Sequence, residues 1–370
     1  MTFYEVKKKY DKFNFEQYIS AVSDKMIKSS ICKSVLNDMD FLNIISPKAT
    51  KYIEEIAQKA HNISVNHFGK NILLYAPLYV SNFCTNNCVY CGFSTANKIK
   101  REVLTFEKIE ENCKILSSYG IRHVLLVTGE SNTRTPLSYL KKCISMLRNY
   151  FDGIDIEIYP LDECGYKELL EAGADGLTIY QETYNEKLYR LLHTKGAKAN
   201  YYYRLEACER AGKVNYRSLN VGVLMGLNDF ISEVFFVGLH AAYLQNNFPS
   251  AEISISFPRL RPTVKYYKPK ITVSDQNLIQ AICAVRIFIN RVNITISTRE
   301  NQCLRSNLIP LGITKMSAGS STEVGGYINN NKKQEFEGQF KINDTSTVND
   351  VKKMIYKMGY QPVMKNWLVL

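Results

Sequence analysis

The chain reads as an α/β protein, a (βα)8 TIM-type barrel with an N-terminal helical lead-in, and three observations carry that reading. Eight short β-rich runs alternate with longer stretches of helical spacing, the mark of parallel βα units. The length of 370 residues suits one such barrel, and an apolar content of 45% suits a large buried core. Polar residues gather just after the β-rich runs, the end of a barrel at which chemistry is done.

Residues 1–70 form the lead-in, with apolar residues at three- and four-residue intervals from Phe15 to Lys28 and from Thr50 to Phe68. Residues 71–370 form the barrel. Its expected strands are Ile72 to Val80, His123 to Thr128, Ile154 to Tyr159, Gly176 to Tyr180, Ser218 to Met225, Glu252 to Phe257, Asn293 to Ser297 and Ile313 to Ser317. Helical spacing fills most of the intervals: Phe106 to Tyr119, Leu137 to Asn149, Tyr201 to Ala211, Ser232 to Asn246 and Ser274 to Arg291. A split barrel of six strands with a modified end is the alternative. The stretch Gly319 to Glu337 is polar and Gly-rich, which predicts a loop over the barrel mouth, followed by a last helix from Val348 to Met358.

The formal charge of +12 is spread along helical segments without a dense arginine run, so it does not argue for nucleic acid. The ten cysteines are mostly isolated within periodic segments; Cys113, Cys143, Cys208 and Cys283 read as small core residues, which fits reduced thiols in the cytoplasm or a plastid. No apolar run approaches the roughly 18 residues of a membrane span.

One cysteine group is different. Cys84-Thr85-Asn86-Asn87-Cys88-Val89-Tyr90-Cys91 follows the first expected strand with the spacing C-x3-C-x2-C. Three thiolates on a tight loop hold three irons of a [4Fe–4S] cube and leave the fourth without a protein ligand. A structural zinc site wants four ligands, and no histidine is close in sequence. The spacing resembles that of radical S-adenosylmethionine (SAM) enzymes, in which the open iron docks the amine and carboxylate of SAM.

The other strand ends suit the rest of SAM. Glu130 can accept from the amine, and Gly129 lets backbone approach closely. Glu157 is placed for the ribose hydroxyls, Arg204 for the carboxylate through its planar fork, and Tyr90 for packing on adenine. The plain alternatives are a loop cap for Glu130 and an ion pair for Arg204. Arg299 and the loop Ser317 to Ser320 lie on adjacent expected strands, a set that suits a substrate carboxylate. Arg259 and Arg261 compete for that role, or else pair with acids on neighbouring loops.

Longer stretches resemble one family: CTNNCVYCGFS (Cys84 to Ser94), VTGE (Val127 to Glu130), EIYPL (Glu157 to Leu161), YQETYN (Tyr180 to Asn185), SFPRLRP (Ser256 to Pro262), STRE (Ser297 to Glu300) and ITKMSAGSSTEVGGY (Ile313 to Tyr327). They resemble the radical SAM tyrosine lyases of thiamin biosynthesis, the 2-iminoacetate synthases, from about Tyr79 to the segment Val363 to Trp367. The resemblance implies that SAM is reductively cleaved to methionine and a 5′-deoxyadenosyl radical. That radical takes hydrogen from the tyrosine amino group, and the Cα–Cβ bond breaks to give 2-iminoacetate (dehydroglycine) and 4-methylphenol. It also implies L-tyrosine as substrate, thiazole synthase as partner, Arg299 and Ser317 with Ser320 on the substrate carboxylate, and Tyr180 and Gln181 in a strand-four motif. Glu182 and His193 match positions whose roles it does not define. The net positive charge suits an acidic reductant such as flavodoxin. Three rivals stand beside this reading. One is the related hydrogenase-cofactor maturase, against which the lack of any cysteine after Cys303 argues. The others are a tryptophan lyase and a non-catalytic cluster or zinc barrel.

Overall fold

Each of the eight β-rich runs forms a strand, and every pairing among them is parallel. In chain order they are β1 (Asn71–Ser81), β2 (His123–Thr128), β3 (Gly153–Glu157), β4 (Gly176–Glu182), β5 (Ser218–Val223), β6 (Glu252–Ser256), β7 (Asn293–Ile296) and β8 (Lys315–Ser317). Sequential neighbours pair throughout, and β8 pairs with β1 to close the barrel. A computed structural model describes residues 2–263, 267, 269, 271–328 and 338–365. Of the expected mouth loop, residues 329–337 lie outside the described residues, as do 366 and 367 of the terminal segment.

A ninth strand, β9 (Gln361–Val363), adds to the eight expected. It pairs with Asn71–Leu73 at the start of β1. Because Leu73–Tyr75 holds β8 on one edge, β9 occupies the other edge, just before the stretch Ala76–Ser81 that holds β2. The eleven residues of β1 are long enough to take partners at two heights on one side. Three residues are too few for an alternation signal, which is why the sequence does not announce this strand.

The helices follow the expected spacing, with breaks where polar side chains cap. The run Phe15 to Lys28 splits into Phe15–Ala21 and Asp24–Cys32, because the Ser23 side chain accepts from the Met26 N–H and starts a new helix. Tyr201 to Ala211 splits into Tyr201–Leu205 and Ala207–Lys213. The stretch before β1 packs on the barrel's outer helices through rings: Phe41 stacks on Phe288 at 4.4 Å and Phe3 on His240 at 4.1 Å. Among the described residues no helix is long and apolar enough to cross a membrane.

At the N-terminal end of the barrel the Asp155 carboxylate meets Lys315 Nζ at 2.6 Å and His123 Nε2 at 2.9 Å. Burial alone would raise its pKa, yet the two basic partners hold it well below the usual carboxylate range. This ionic cluster belongs to the end opposite the strand termini that carry the candidate site.

Candidate active site

The strand ends of β1 and β3–β8 converge on one cleft, which encloses ≈ 1060 Å³ of space including its open mouth. Tyr90 and Cys91 form part of one wall; Arg299, Ser317 and Ser320 contribute to another; Glu157, Tyr180 and Glu182 also line it.

The cysteine loop has little regular structure, so its shape depends on polar side chains. The Thr85 N–H donates to the Glu130 carbonyl at 2.9 Å, and Asn86 Nδ2 donates to Glu130 Oε2 at 2.8 Å. Asn86 Oδ1 accepts from the Lys198 N–H at 3.0 Å, and the Asn87 N–H donates to the Lys195 carbonyl at 3.1 Å. Arg101 donates to the carbonyls of Asn82, Phe93 and Ser94 at 2.6–2.9 Å, tying both ends of the loop to one guanidinium. Gly129 serves this packing: a Cβ there would stand 2.3 Å from the Phe83 carbonyl oxygen. Its smallness lets the loop after β2 lie against the cysteine loop, a different close approach from the one expected toward a ligand.

Cys84, Cys88 and Cys91 are all free thiols, and their charges would couple to one another. Burial and the neighbouring Cys84 push the Cys91 thiol up to about 11, and Cys88 is raised further by burial. Thiolates in this position therefore need a cation, which bound iron supplies. Among the described residues no three His, Cys, Asp or Glu side chains converge as ligands of a single ion. Tetrahedral zinc needs sulfurs about 3.8 Å apart, from Zn–S bonds of about 2.3 Å, whereas a cube offers each thiolate its own iron. The donor set fits the cluster.

Glu130 and Arg204, expected to act separately on SAM, are paired with each other, Nη1 to Oε1 at 2.7 Å. Arg204 Nε donates to the Tyr180 carbonyl at 2.7 Å, and its Nη2 lies 4.0 Å from Glu182 Oε1. The fork is thus occupied by protein acceptors, and the ion-pair alternative for Arg204 is the one observed, buried rather than at the surface. Glu130 keeps free lone pairs, since a carboxylate accepts about four hydrogen bonds.

Tyr90 is buried and lines the cleft, with its hydroxyl 2.6 Å from His193 Nε2. His193 Nδ1 lies 2.8 Å from the Tyr189 carbonyl, so Nδ1 carries the proton and Nε2 accepts from Tyr90. Burial and then Lys198 hold this imidazole neutral, its pKa pushed down to about 2. His193 therefore anchors Tyr90 and does not itself line the cleft.

Tyr180 and Glu182 both face the cleft, which strict alternation would also require, but Gln181 is the extra residue of a β-bulge. Tyr180 pairs with Gly222 and Glu182 with Val223, with no partner for Gln181 between them. The bulge sets Glu182 at φ 70°. Gln181 is buried off the cleft with both amide atoms unpartnered among the described residues, so its expected contact with substrate is corrected.

Glu157 accepts no hydrogen bond among the described residues and shares the cleft with Glu182 and Arg299. Burial, and then the charge of Glu182, raises its pKa to about 7. On the far wall the Arg299 guanidinium lies 3.3 Å from the centre of the Phe340 ring, and Nη1 reaches the Arg259 carbonyl only at 3.4 Å. Arg259 and Arg261 instead bind Glu300, Arg261 at 3.0 Å, and so are satisfied as neighbouring-loop pairs. The Ser317 hydroxyl accepts from the Thr298 N–H at 3.1 Å, and Ser320 Oγ is buried without a partner among the described residues.

Three further cleft residues were not singled out from the sequence. Tyr75 and Tyr79 share the inward face of β1 with Pro77, a two-residue alternation that the sequence does display. Lys198 is different: it is buried, pairs with Glu182 at 2.6 Å and lies 6.0 Å from the Tyr90 ring centre. Nothing in its local sequence separates it from the exposed Lys195.

Comparison with known proteins adds the following. The Radical SAM superfamily model matches residues 78–234, and the Biotin and Thiamin Synthesis associated domain matches 256–361. The 2-iminoacetate synthase of Salmonella typhimurium is 36% identical over 329 residues, covering 89% of this chain and 86% of that protein. That of Escherichia coli is 36% identical over 342 residues, covering 92% and 90%. Among solved structures, HydG, a maturase of the [FeFe]-hydrogenase, superposes with a TM-score of 0.88 at 27% identity, covering 95% of this chain and 79% of that one. The maturase HydG of Carboxydothermus hydrogenoformans gives 0.84 at 30% identity, covering 98% and 83%.

Proposed function

Because the chain belongs to the 2-iminoacetate synthase family of radical SAM enzymes, we propose that it cleaves the Cα–Cβ bond of L-tyrosine to 2-iminoacetate and 4-methylphenol. The first product serves the thiazole of thiamin. The observation that carries the substrate half of this reading is Arg299. It lines the cleft with no ion-pair partner among the described residues, while Arg204, Arg259, Arg261 and Arg305 all hold carboxylates. A half-buried guanidinium left in that state suits a ligand carboxylate.

The [4Fe–4S] cluster with SAM bound supplies a hydrogen-abstracting 5′-deoxyadenosyl radical. The chain's own residues hold and orient the reactants. Cys84, Cys88 and Cys91 would hold the cluster beside the cleft, which Cys91 lines. Glu130, fixed by Arg204 and Asn86, presents its remaining lone pairs to the SAM amine. Glu157, without a hydrogen-bond partner among the described residues, takes the ribose hydroxyls, and Tyr90, anchored on His193, packs against adenine. Arg299 with Ser317 and Ser320 fixes the tyrosine carboxylate, with Tyr180 beside it in the cleft. Such clamping holds the amino group in line and keeps the radical from other C–H bonds. Thiazole synthase receives the imine, and an acidic reductant such as flavodoxin supplies the electron in a reducing, cytoplasmic setting.

The test is anaerobic reconstitution with iron and sulfide, then incubation with SAM, dithionite and tyrosine. The expected products are 5′-deoxyadenosine and 4-methylphenol. Deoxyadenosine without 4-methylphenol, together with turnover of tryptophan, would replace tyrosine by tryptophan as substrate.

A further inference from the structure

The cysteine loop has a solvent side as well as a cleft side. Tyr90 and Cys91 line the cleft, whereas Val89, between two of the cluster cysteines in sequence, is 37% exposed. A second segment lies against it. The Val89 N–H donates to the Leu192 carbonyl at 3.3 Å, Asn87 Nδ2 donates to Thr194 Oγ1 at 3.1 Å, and Cys88 and His193 form an antiparallel bridge. Next to that contact Leu191 is 68% exposed. Two aliphatic side chains therefore stand in water on adjoining segments, one of them next to Cys88 and two positions from Cys91.

The exposed charge on these two segments is mostly basic. Residues 83–100 contain Lys98 and Lys100 and no acid; residues 187–197 contain Lys187, Arg190 and Lys195 and no acid. Arg190 is neutralised by Glu186 at 2.5 Å, while Lys98, Lys187 and Lys195 are exposed. An aliphatic centre rimmed by lysines fits a protein with an acidic rim.

We propose that this face, centred on Val89 and Leu191 and bordered by Lys98, Lys187 and Lys195, docks an acidic one-electron carrier protein. The inference rests on the reading of the cysteines as a cluster site. One electron leaves the carrier, which is oxidised by one, and enters the cluster, which is reduced by one; no atom is transferred. A carrier here would sit outside the cysteine loop and leave the cleft mouth open, whereas a protein receiving the product has reason to sit at that mouth.

The test uses the full chain with its cluster reconstituted and follows cluster bleaching in a stopped-flow instrument, with purified reduced flavodoxin as the probe. Leu191→Glu and the double variant Lys187→Glu/Lys195→Glu are expected to lower the second-order rate with flavodoxin by about 10-fold or more at low salt. In the charge-reversed variant the fall of rate with ionic strength should flatten. Bleaching by dithionite, which needs no docking, should stay within about two-fold of the parent; Leu191→Ser serves as the milder variant should Leu191→Glu not fold. Parent-like flavodoxin rates in these variants would overturn the proposal, as would flavodoxin and dithionite rates falling together, since the face would then serve the loop's integrity. Loss of thiazole synthase binding with unchanged flavodoxin rates would assign the face to that partner and overturn it too. Failure of the underlying reading looks different: the parent itself would take up no cluster.

Discussion

Replacing Glu157 by Gln removes one charge from the cleft without changing its shape, and the structure sets what that is worth. The carboxyl sits beside Glu182, half-buried and with no hydrogen-bond donor among the described residues, so its pKa rises from an ordinary 4.5 to about 7. Below about pH 4.5 the folded and unfolded chains both hold this proton, and the group costs nothing. Between about 4.5 and 7 the unfolded chain gives the proton up while the folded one keeps it, so stability falls as pH rises. Above about 7 the penalty is complete, at most about 3.5 kcal/mol at about 1.4 kcal/mol per pH unit. In the cluster-free protein Glu157→Gln should therefore be more stable than the parent at pH 8, and the gap should be about 2 kcal/mol smaller at pH 5.5. Urea denaturation at the two pH values measures this directly. A gap of the same size at both would refute the placement of an uncompensated carboxyl in the cleft. The same variant should bind SAM more weakly, because a neutral amide is a poorer acceptor for the ribose hydroxyls, trading function for stability.

Three further perturbations probe other walls. Arg299→Ala should raise the KM for tyrosine by about 10- to 100-fold, the worth of a charged hydrogen-bond pair, while deoxyadenosine formation without tyrosine persists; an unchanged KM removes Arg299 from the substrate site. Lys198→Met leaves the buried Glu182 without its 2.6 Å partner and should cost about 3–5 kcal/mol. Adding Glu182→Gln should recover most of that loss, and equal stability of the single and double variants in urea would mean that the pair is uncoupled. Gly129→Ala forces a methyl into the space 2.3 Å from the Phe83 carbonyl, so the cysteine loop must move; the expected readout is lower iron and weaker cluster absorbance after reconstitution, and full iron content would show that the loop yields freely.

Legibility in the sequence followed the range of the interaction. The strand β2 runs from His123 to Thr128 as its apolar run does, and the cysteine spacing identified its loop, because each signal is contained in a few consecutive residues. Convergence of Arg299 and Ser317 was also legible, since β7 and β8 are neighbours and strand ends share one face of a barrel. The helix breaks at Val22 and Glu206 and the short strand β9 were not, since a single cap or three residues leave no periodicity to read.

What the sequence by itself determined, then, was a run of parallel βα units with a cysteine loop after the first strand and a family resemblance spanning most of the chain. The tertiary structure alone decided who pairs with whom inside the barrel mouth. Arg204 and Glu130 are 74 positions apart, and only folding shows that they satisfy each other. Lys198 becomes the partner of Glu182, and Arg259 and Arg261 are absorbed by Glu300. The physical reason is common to all three. A charge in a cleft is assigned by its distance to other charges and to water, and that distance is a property of the packed chain, whereas periodicity and ligand spacing are properties of the chain as written.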